Sequence, residues 1–268
     1  MKYHPLIAVS LKMYMNGAET RAWISSIAEE VQARAERDAI EVAVFPSYLM
    51  LGETAQRLRG TGIHTGAQNV FWEDGGAYTG EVSAPMLAEI GCRWVEVGHA
   101  ERRRLFGEDD LTTSLKARAA LRAGLTPLIC VGELEARSVS DAIKECVGQV
   151  LEVIGALPSD PPGEIAFAYE PVWAIGAVEP ATPDHIRAVL AGIRSELPHG
   201  FENSRLIYGG AARPGLFSSI VTEADGIFLG RFAHDPSAFG AVLDEVIAVS
   251  STPPNHRMAQ AMESRYLS

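Results

Sequence analysis

The chain has 268 residues, 47% of them apolar and 21% charged, enough to bury a sizeable core in one large domain or two small ones. Thirty-four acidic residues against 23 basic ones leave a net charge of −11. That balance argues against nucleic acid and against an anionic membrane surface as partners, but not against a small anion held in a locally positive cleft. Three scattered cysteines (Cys92, Cys130, Cys146) are too few for a disulfide framework or a zinc site, and Cys92 and Cys130 sit in or beside apolar runs. No apolar run reaches the roughly 18 residues of a membrane helix, and the opening Met-Lys-Tyr-His-Pro has no signal-peptide core, so a cytoplasmic location is expected.

Short apolar or β-branched runs alternate with stretches of helical period. Leu6–Ser10 reads as a first strand and ends in Ser10-Leu11-Lys12; a helix is predicted over Ala22–Arg37. Ile40–Phe45 and Ile63–Ala67 follow as strands. Gln68–Glu81 is long for a strand-to-helix connection and carries Phe71, Trp72 and Tyr78 among glycines. Exposed aromatics on such a loop suggest a partner subunit, with folding back onto the chain's own body as the alternative. Trp94–Val97 is the fourth strand and runs into Gly98-His99-Ala100-Glu101-Arg102-Arg103.

Helices predicted over Leu111–Ala123 and Val147–Ala156 lead to strands at Leu125–Cys130 and Ile165–Tyr169. The latter breaks off at Glu170, and Pro171 cannot continue a ladder. A carboxylate on the last rung of a buried strand stands half in an apolar wall, which raises its pKa and suits it to act as a general base. The stiff Pro-Val-Trp entry and Gly176 that follow have the makings of a hinged lid. Thr182 caps, and Pro183 opens, a helix predicted over Asp184–Leu197. Leu206–Tyr208 ends in Gly209-Gly210-Ala211, and Gly226–Leu229 in Gly230-Arg231. Residues 251–268, opening Ser-Thr-Pro-Pro, read as a flexible C-terminal extension of the unit formed by 1–250.

Eight nearly continuous apolar strands alternating with helices predict a single-domain α/β fold, a closed (β/α)8 barrel. A doubly wound sheet would carry a glycine-rich turn after the first strand, and Val-Ser-Leu-Lys-Met is not one. In a barrel the C-terminal strand ends share one mouth, which here collects Lys12, His99, Glu170 and two glycine-bearing turns. Singly these are a surface lysine, a structural histidine and ordinary turns; together they fit proton transfer next to a carbonyl. The carboxylate takes a proton from carbon, a neutral histidine at a helix N-terminus hydrogen-bonds the enediolate, and the lysine adds fixed positive charge. Glycine turns present N–H groups to a phosphate. No metal or organic cofactor is called for.

Ala-Tyr-Glu-Pro-Val-Trp-Ala-Ile-Gly (168–176) with Gly-His-Ala-Glu-Arg-Arg (98–103), Phe-Gly-Glu (106–108), Cys-Val-Gly-Glu (130–133), Ala-Gln-Asn (67–69) and Ala-Tyr-Thr-Gly-Glu-Val (77–82) resembles the triosephosphate isomerase family over about residues 5–245. The resemblance implies Glu170 as base, His99 as electrophile, Lys12 as electrostatic clamp and Glu101 as a supporting carboxylate. It places Ser10, Gly176, Gly209, Gly210, Ala211, Gly230 and Arg231 around substrate and phosphate. It also implies a homodimer locked through the 68–81 loop, with Thr79 reaching the partner's site.

The pattern is broken in several places. Ser10 and Leu11 stand where the family has Asn and Trp, and Ala177-Val178-Glu179-Pro180 replaces a Thr-Gly-Lys-Thr-like stretch of the lid. Ala211 lacks a hydroxyl that in the family reaches the closed lid. Arg231 replaces the second glycine of a pair, where its N–H or guanidinium meets the phosphate or its side chain points outwards. Triose phosphates, in glycolysis and gluconeogenesis, are the first substrates implied. The alternative is a four-carbon ketose phosphate, L-erythrulose 1-phosphate to D-erythrulose 4-phosphate, as in erythritol-type catabolism, for which Ser10 and Leu11 leave room. A different class, a sugar-phosphate-binding regulator with little activity, would also fit the altered lid and turns.

Overall fold

The apolar runs pair side by side, each parallel to the next, and the last strand closes on the first in a computed structural model that describes residues 4–176 and 181–251. The strands are β1 (Leu6–Ser10), β2 (Glu41–Phe45), β3 (Ile63–Ala67), β4 (Trp94–Val97), β5 (Thr126–Val131), β6 (Ala166–Tyr169), β7 (Arg205–Tyr208) and β8 (Gly226–Leu229). Their positions agree with the predicted strands to within a residue at each end. Side chains alternate between two faces along each strand. Leu6, Ala8, Phe45, Trp94, Leu128, Ala166, Ile207 and Phe228 fill the barrel interior, while Ile7, Val9, Val42, Val95, Val97 and Ile129 pack outwards under the helices. Most positions on both faces are buried, which is why most of the strands read as nearly continuous apolar runs.

The helical shell comprises α1 (Gly17–Gln32), α2 (Leu51–Arg57), α3 (Ala84–Glu89), α4 (Ala100–Phe106), α5 (Asp110–Arg122), α6 (Val139–Gly155), α7 (Pro183–Ser195), α8 (Phe217–Ile220) and α9 (Pro236–Ser251). Thr182 caps α7 as expected, its hydroxyl accepting from the His185 N–H. Two helices begin earlier than hydrophobic period suggested. α1 starts at Gly17 because Asn16 and Glu19 form a capping box. α6 starts at Val139, capped by Ser138; its first three residues, Val139, Ser140 and Asp141, are exposed, and its buried stripe begins at Ala142 and Cys146. No helix among the described residues is long and apolar enough to cross a membrane.

The 68–81 loop is braced at its base. Phe71 stacks on Trp72 at 4.1 Å and packs against Tyr78 at 4.6 Å, Arg122 pairs with Asp74 at 2.7 Å, and Thr79 at the tip is exposed. The lid departures at Ala177–Pro180 and the extension beyond Ser251 lie outside the described residues.

Candidate active site

A cavity of about 630 Å³ opens at the C-terminal mouth of the barrel, and its wall contains Ser10, Lys12, His99, Glu101, Glu170, Gly176, Gly209, Gly210, Ala211, Gly230 and Arg231. Eleven of the twelve site residues expected from sequence therefore meet there. Thr79 does not; it stands on the projecting loop.

Glu170 follows directly on β6, its N–H donating to the Val131 carbonyl at 2.8 Å, and only 4% of the residue is exposed. Burial, with the nearby Glu96 carboxylate adding to it, pushes its pKa up to about 8. Its Oε2 has no hydrogen-bond partner and lies 3.5 Å from His99 Nε2.

Gly98, at φ +69°, makes the turn out of β4, and His99 becomes the N-cap of α4. The His99 Nδ1 accepts the Glu101 N–H at 3.1 Å, so in the neutral ring the proton sits on Nε2. Burial first, then the positive Lys12, lowers the His99 pKa to about 4, and the ring is neutral at ordinary pH.

Lys12 has the left-handed backbone (φ +49°) that non-glycine residues rarely adopt, a local strain of the kind found at functional sites. Gln68 holds it there by donating to the Lys12 carbonyl at 3.0 Å. The Lys12 ammonium donates to Glu101 Oε1 at 2.7 Å. Burial works against its charge, but the Glu101 hydrogen bond and the carboxylates of Glu101, Glu170 and Glu96 outweigh it and raise the pKa.

On the opposite rim, Gly209 spends its N–H on the Tyr169 carbonyl at 2.8 Å, so that donor belongs to the sheet and is not offered to a phosphate. Gly209 serves the base instead: a Cβ there would stand 2.7 Å from Glu170 Cγ. Arg231 opens a 3-10 turn, Arg231–His234, whose first N–H groups have no partner within the turn. Its backbone is not left-handed, so the side chain costs no strain there. The guanidinium lies 6.0 Å from the centre of the Tyr14 ring, at the cavity edge.

A second expectation is corrected. Leu11 is 2% exposed and packs in the outer core, with no part in the cavity, so it makes no room for a substrate.

Sequence reasoning passed over two carboxylates. Glu96 occupies the inward position of β4, 3% exposed, where it accepts the Ser10 hydroxyl at 3.0 Å and lies 3.9 Å from His99 Nε2. Burial drives its pKa up to about 7, against the Ser10 hydrogen bond and Lys12. The signal was a single charged residue inside Trp-Val-Glu-Val. Glu133, fully buried, accepts from Trp173 Nε1 at 2.8 Å and from the Tyr169 hydroxyl at 3.1 Å, and its carbonyl accepts the Val172 N–H at 2.9 Å. It thereby pins the Val172–Ala174 turn that follows Glu170.

A buried base of raised pKa, a neutral imidazole and a fixed cation at the mouth of a (β/α)8 barrel define an enzyme that isomerises small phosphorylated sugars by moving protons. The comparisons agree. The family model described as triosephosphate isomerase matches residues 5–246. The L-erythrulose-1-phosphate isomerase of Pectobacterium atrosepticum is 45% identical over 250 residues, 91% of this chain and 96% of that protein. The triosephosphate isomerase of Rubrobacter xylanophilus is 42% identical over 230 residues, 82% of this chain and 88% of that protein. The crystal structure of triosephosphate isomerase from Bartonella henselae superposes with a TM-score of 0.77 at 30% identity, over 90% of this chain and 98% of that one. The chain belongs to the triosephosphate isomerase family.

Proposed function

We propose that this enzyme interconverts L-erythrulose 1-phosphate and D-erythrulose 4-phosphate, a four-carbon ketose phosphate taking precedence over the triose phosphates. The observation that carries the reading is Ser10, whose short side chain forms the cavity wall with Lys12 and His99; in this reading the extra hydroxymethyl group of a substrate one carbon longer lies there. The 45% identity to a protein named for L-erythrulose 1-phosphate supports it.

In this reaction Glu170 takes the proton from C3, and the electrons move onto the C2 carbonyl oxygen. The His99 Nε2–H and the Lys12 charge stabilise the enediolate as a proton passes from the oxygen on C3 to the oxygen on C2. Glu170 then returns its proton to C2, leaving the carbonyl at C3. No atom is gained or lost. The phosphate sits against the backbone of Gly210, Ala211, Gly230 and Arg231, with the Arg231 guanidinium within reach, and Gly176 lets the lid fold over it and exclude water. Met13 and Leu49, both 95% exposed, lie on the connections that follow β1 and β2, and we assign them, with the braced 68–81 loop, to a homodimer interface in which Thr79 reaches the partner's cavity.

The deciding measurement is kcat/KM for L-erythrulose 1-phosphate against dihydroxyacetone phosphate on the same preparation. A preference of tenfold or more for the four-carbon compound is expected, on the order of one well-placed hydroxyl interaction. A preference for dihydroxyacetone phosphate restores the triose reading.

A further inference from the structure

Glu96 is a buried titratable group beside the reacting residues that the proton-transfer scheme leaves unused. It stands inside the barrel two residues beyond the inward-facing Trp94, where an apolar side chain would cost no desolvation. A carboxylate in that place, with Ser10 as its hydrogen-bond donor, is a costly arrangement that packing alone does not require. The charged groups that bear on it are Lys12, Glu101, Arg102 and Glu170, and the neutral His99 lies alongside.

What Glu96 does to Ser10 follows from the hydroxyl's inventory, one donor proton and two acceptor lone pairs. With the proton directed to Glu96 Oε2 at 3.0 Å, the Ser10 oxygen has only lone pairs to offer the cavity that it lines. A lone pair there repels a carbonyl or enediolate oxygen and accepts from a hydroxyl. A triose phosphate has only the two reacting oxygens beyond its phosphate ester. A four-carbon ketose phosphate has one hydroxyl more, on a carbon outside the reacting pair, and that group can donate.

We propose that Glu96 fixes the Ser10 hydroxyl as a hydrogen-bond acceptor facing the cavity, and that this pair selects the substrate by receiving the terminal hydroxyl beyond the enediolate carbons. The inference rests on the four-carbon reading and names the element that enforces it. Glu96 acts through Ser10 and is a positioning residue; Ser10 makes the contact. A site built around a substrate hydroxyl discriminates strongly against a compound without it, because the buried acceptor is then left unpaired.

The test is the ratio of kcat/KM for L-erythrulose 1-phosphate to that for dihydroxyacetone phosphate, measured in the parent enzyme and in Ser10→Ala, Glu96→Leu and Glu96→Gln. Ser10→Ala and Glu96→Leu should each lower the ratio by about 10- to 100-fold, whatever they do to the separate rates. Glu96→Gln, whose amide oxygen still accepts the Ser10 proton, should keep the ratio within about threefold of the parent. If Glu96→Leu fails to fold, the other two variants decide. A four-carbon preference in the parent that survives unchanged in Ser10→Ala overturns the inference and spares the reading it rests on. A parent that prefers dihydroxyacetone phosphate overturns both.

Discussion

The side chain of Glu170 lies directly over the α-carbon of Gly209, so close that a Cβ at Gly209 would stand 2.7 Å from Glu170 Cγ and 2.8 Å from Oε1. The end of β7 is therefore a bearing surface for the base. Gly209→Ala should displace the carboxylate by a fraction of an ångström or more and lower kcat/KM about 100-fold, while the extra methyl costs about 1–3 kcal/mol of stability. Steady-state kinetics beside a thermal melt separate the two effects. Parent-like kinetics would show that the base does not depend on this contact.

Glu170→Gln keeps the shape of the side chain and removes its basicity. Exchange of the substrate's carbon-bound proton with deuterium oxide should fall by about 10³-fold or more, while a phosphate-bearing inhibitor still binds within severalfold of the parent. NMR exchange and calorimetric binding are the two readouts. A parent enzyme that shows no exchange would instead point to a binding protein.

The pH dependence follows from Glu170 and Glu96 together. Only ionised Glu170 accepts a proton, so kcat/KM should climb as pH rises through about 8. Glu96→Gln removes a like charge that raises the Glu170 pKa, so the climb should move to lower pH in that variant. A limb that stays in place would show that the two carboxyls do not interact.

Stability carries the same signature with the opposite slope. Both carboxyls titrate higher in the folded chain than the ordinary value of 4.5, so the folded state holds more protons than the unfolded one between about 4.5 and 8. The contribution of these two carboxyls to stability must fall as pH rises across that window, while His99, whose pKa is lowered in the fold, works the other way below about 6.5. Glu96→Gln relieves part of the loss, and its Tm advantage over the parent should be about 5 °C larger at pH 8 than at pH 5. Melting curves at the two pH values check this; an equal difference at both would contradict it.

The turn after Glu170 is tied down through Trp173, whose Nε1 donates to the fully buried Glu133 at 2.8 Å. Trp173→Phe takes one donor from that carboxylate and should cost about 1–3 kcal/mol of stability, with a loss of about tenfold in kcat/KM as that turn loosens. Differential scanning calorimetry and kinetics of the variant test both numbers.

Strand positions were legible because a strand buried on both faces is a local apolar run with sharp ends. Helix starts were less so at Gly17 and Val139, where capping by Asn16 and Ser138, not apolar period, sets the boundary. Lys12, His99 and Glu170 could be placed at one mouth from sequence because each stands at a strand end, and a closed parallel barrel brings all such ends together; Glu101, in the first turn of α4, was assigned a role only through the family resemblance. Glu96 escaped because a single glutamate in a short strand reads as a solvent-facing residue. Only barrel closure turns its position inwards. Leu11 was misplaced for the converse reason: one residue past β1, the alternation that puts Ser10 on the cavity wall sends Leu11 into the outer core.

By itself, then, the sequence determined the barrel and which candidate site residues stand at its mouth, since strand period, strand length and strand-end chemistry are all written within a few neighbouring residues. The tertiary structure alone decided what surrounds them. Ser10 and Glu96 are 86 positions apart, on strands that do not pair, and their 3.0 Å contact exists only because the closed barrel turns both side chains inwards. The raised pKa of Glu170 and the lowered one of His99 have the same origin, because burial and the charges of distant residues belong to the assembled site and to no stretch of chain.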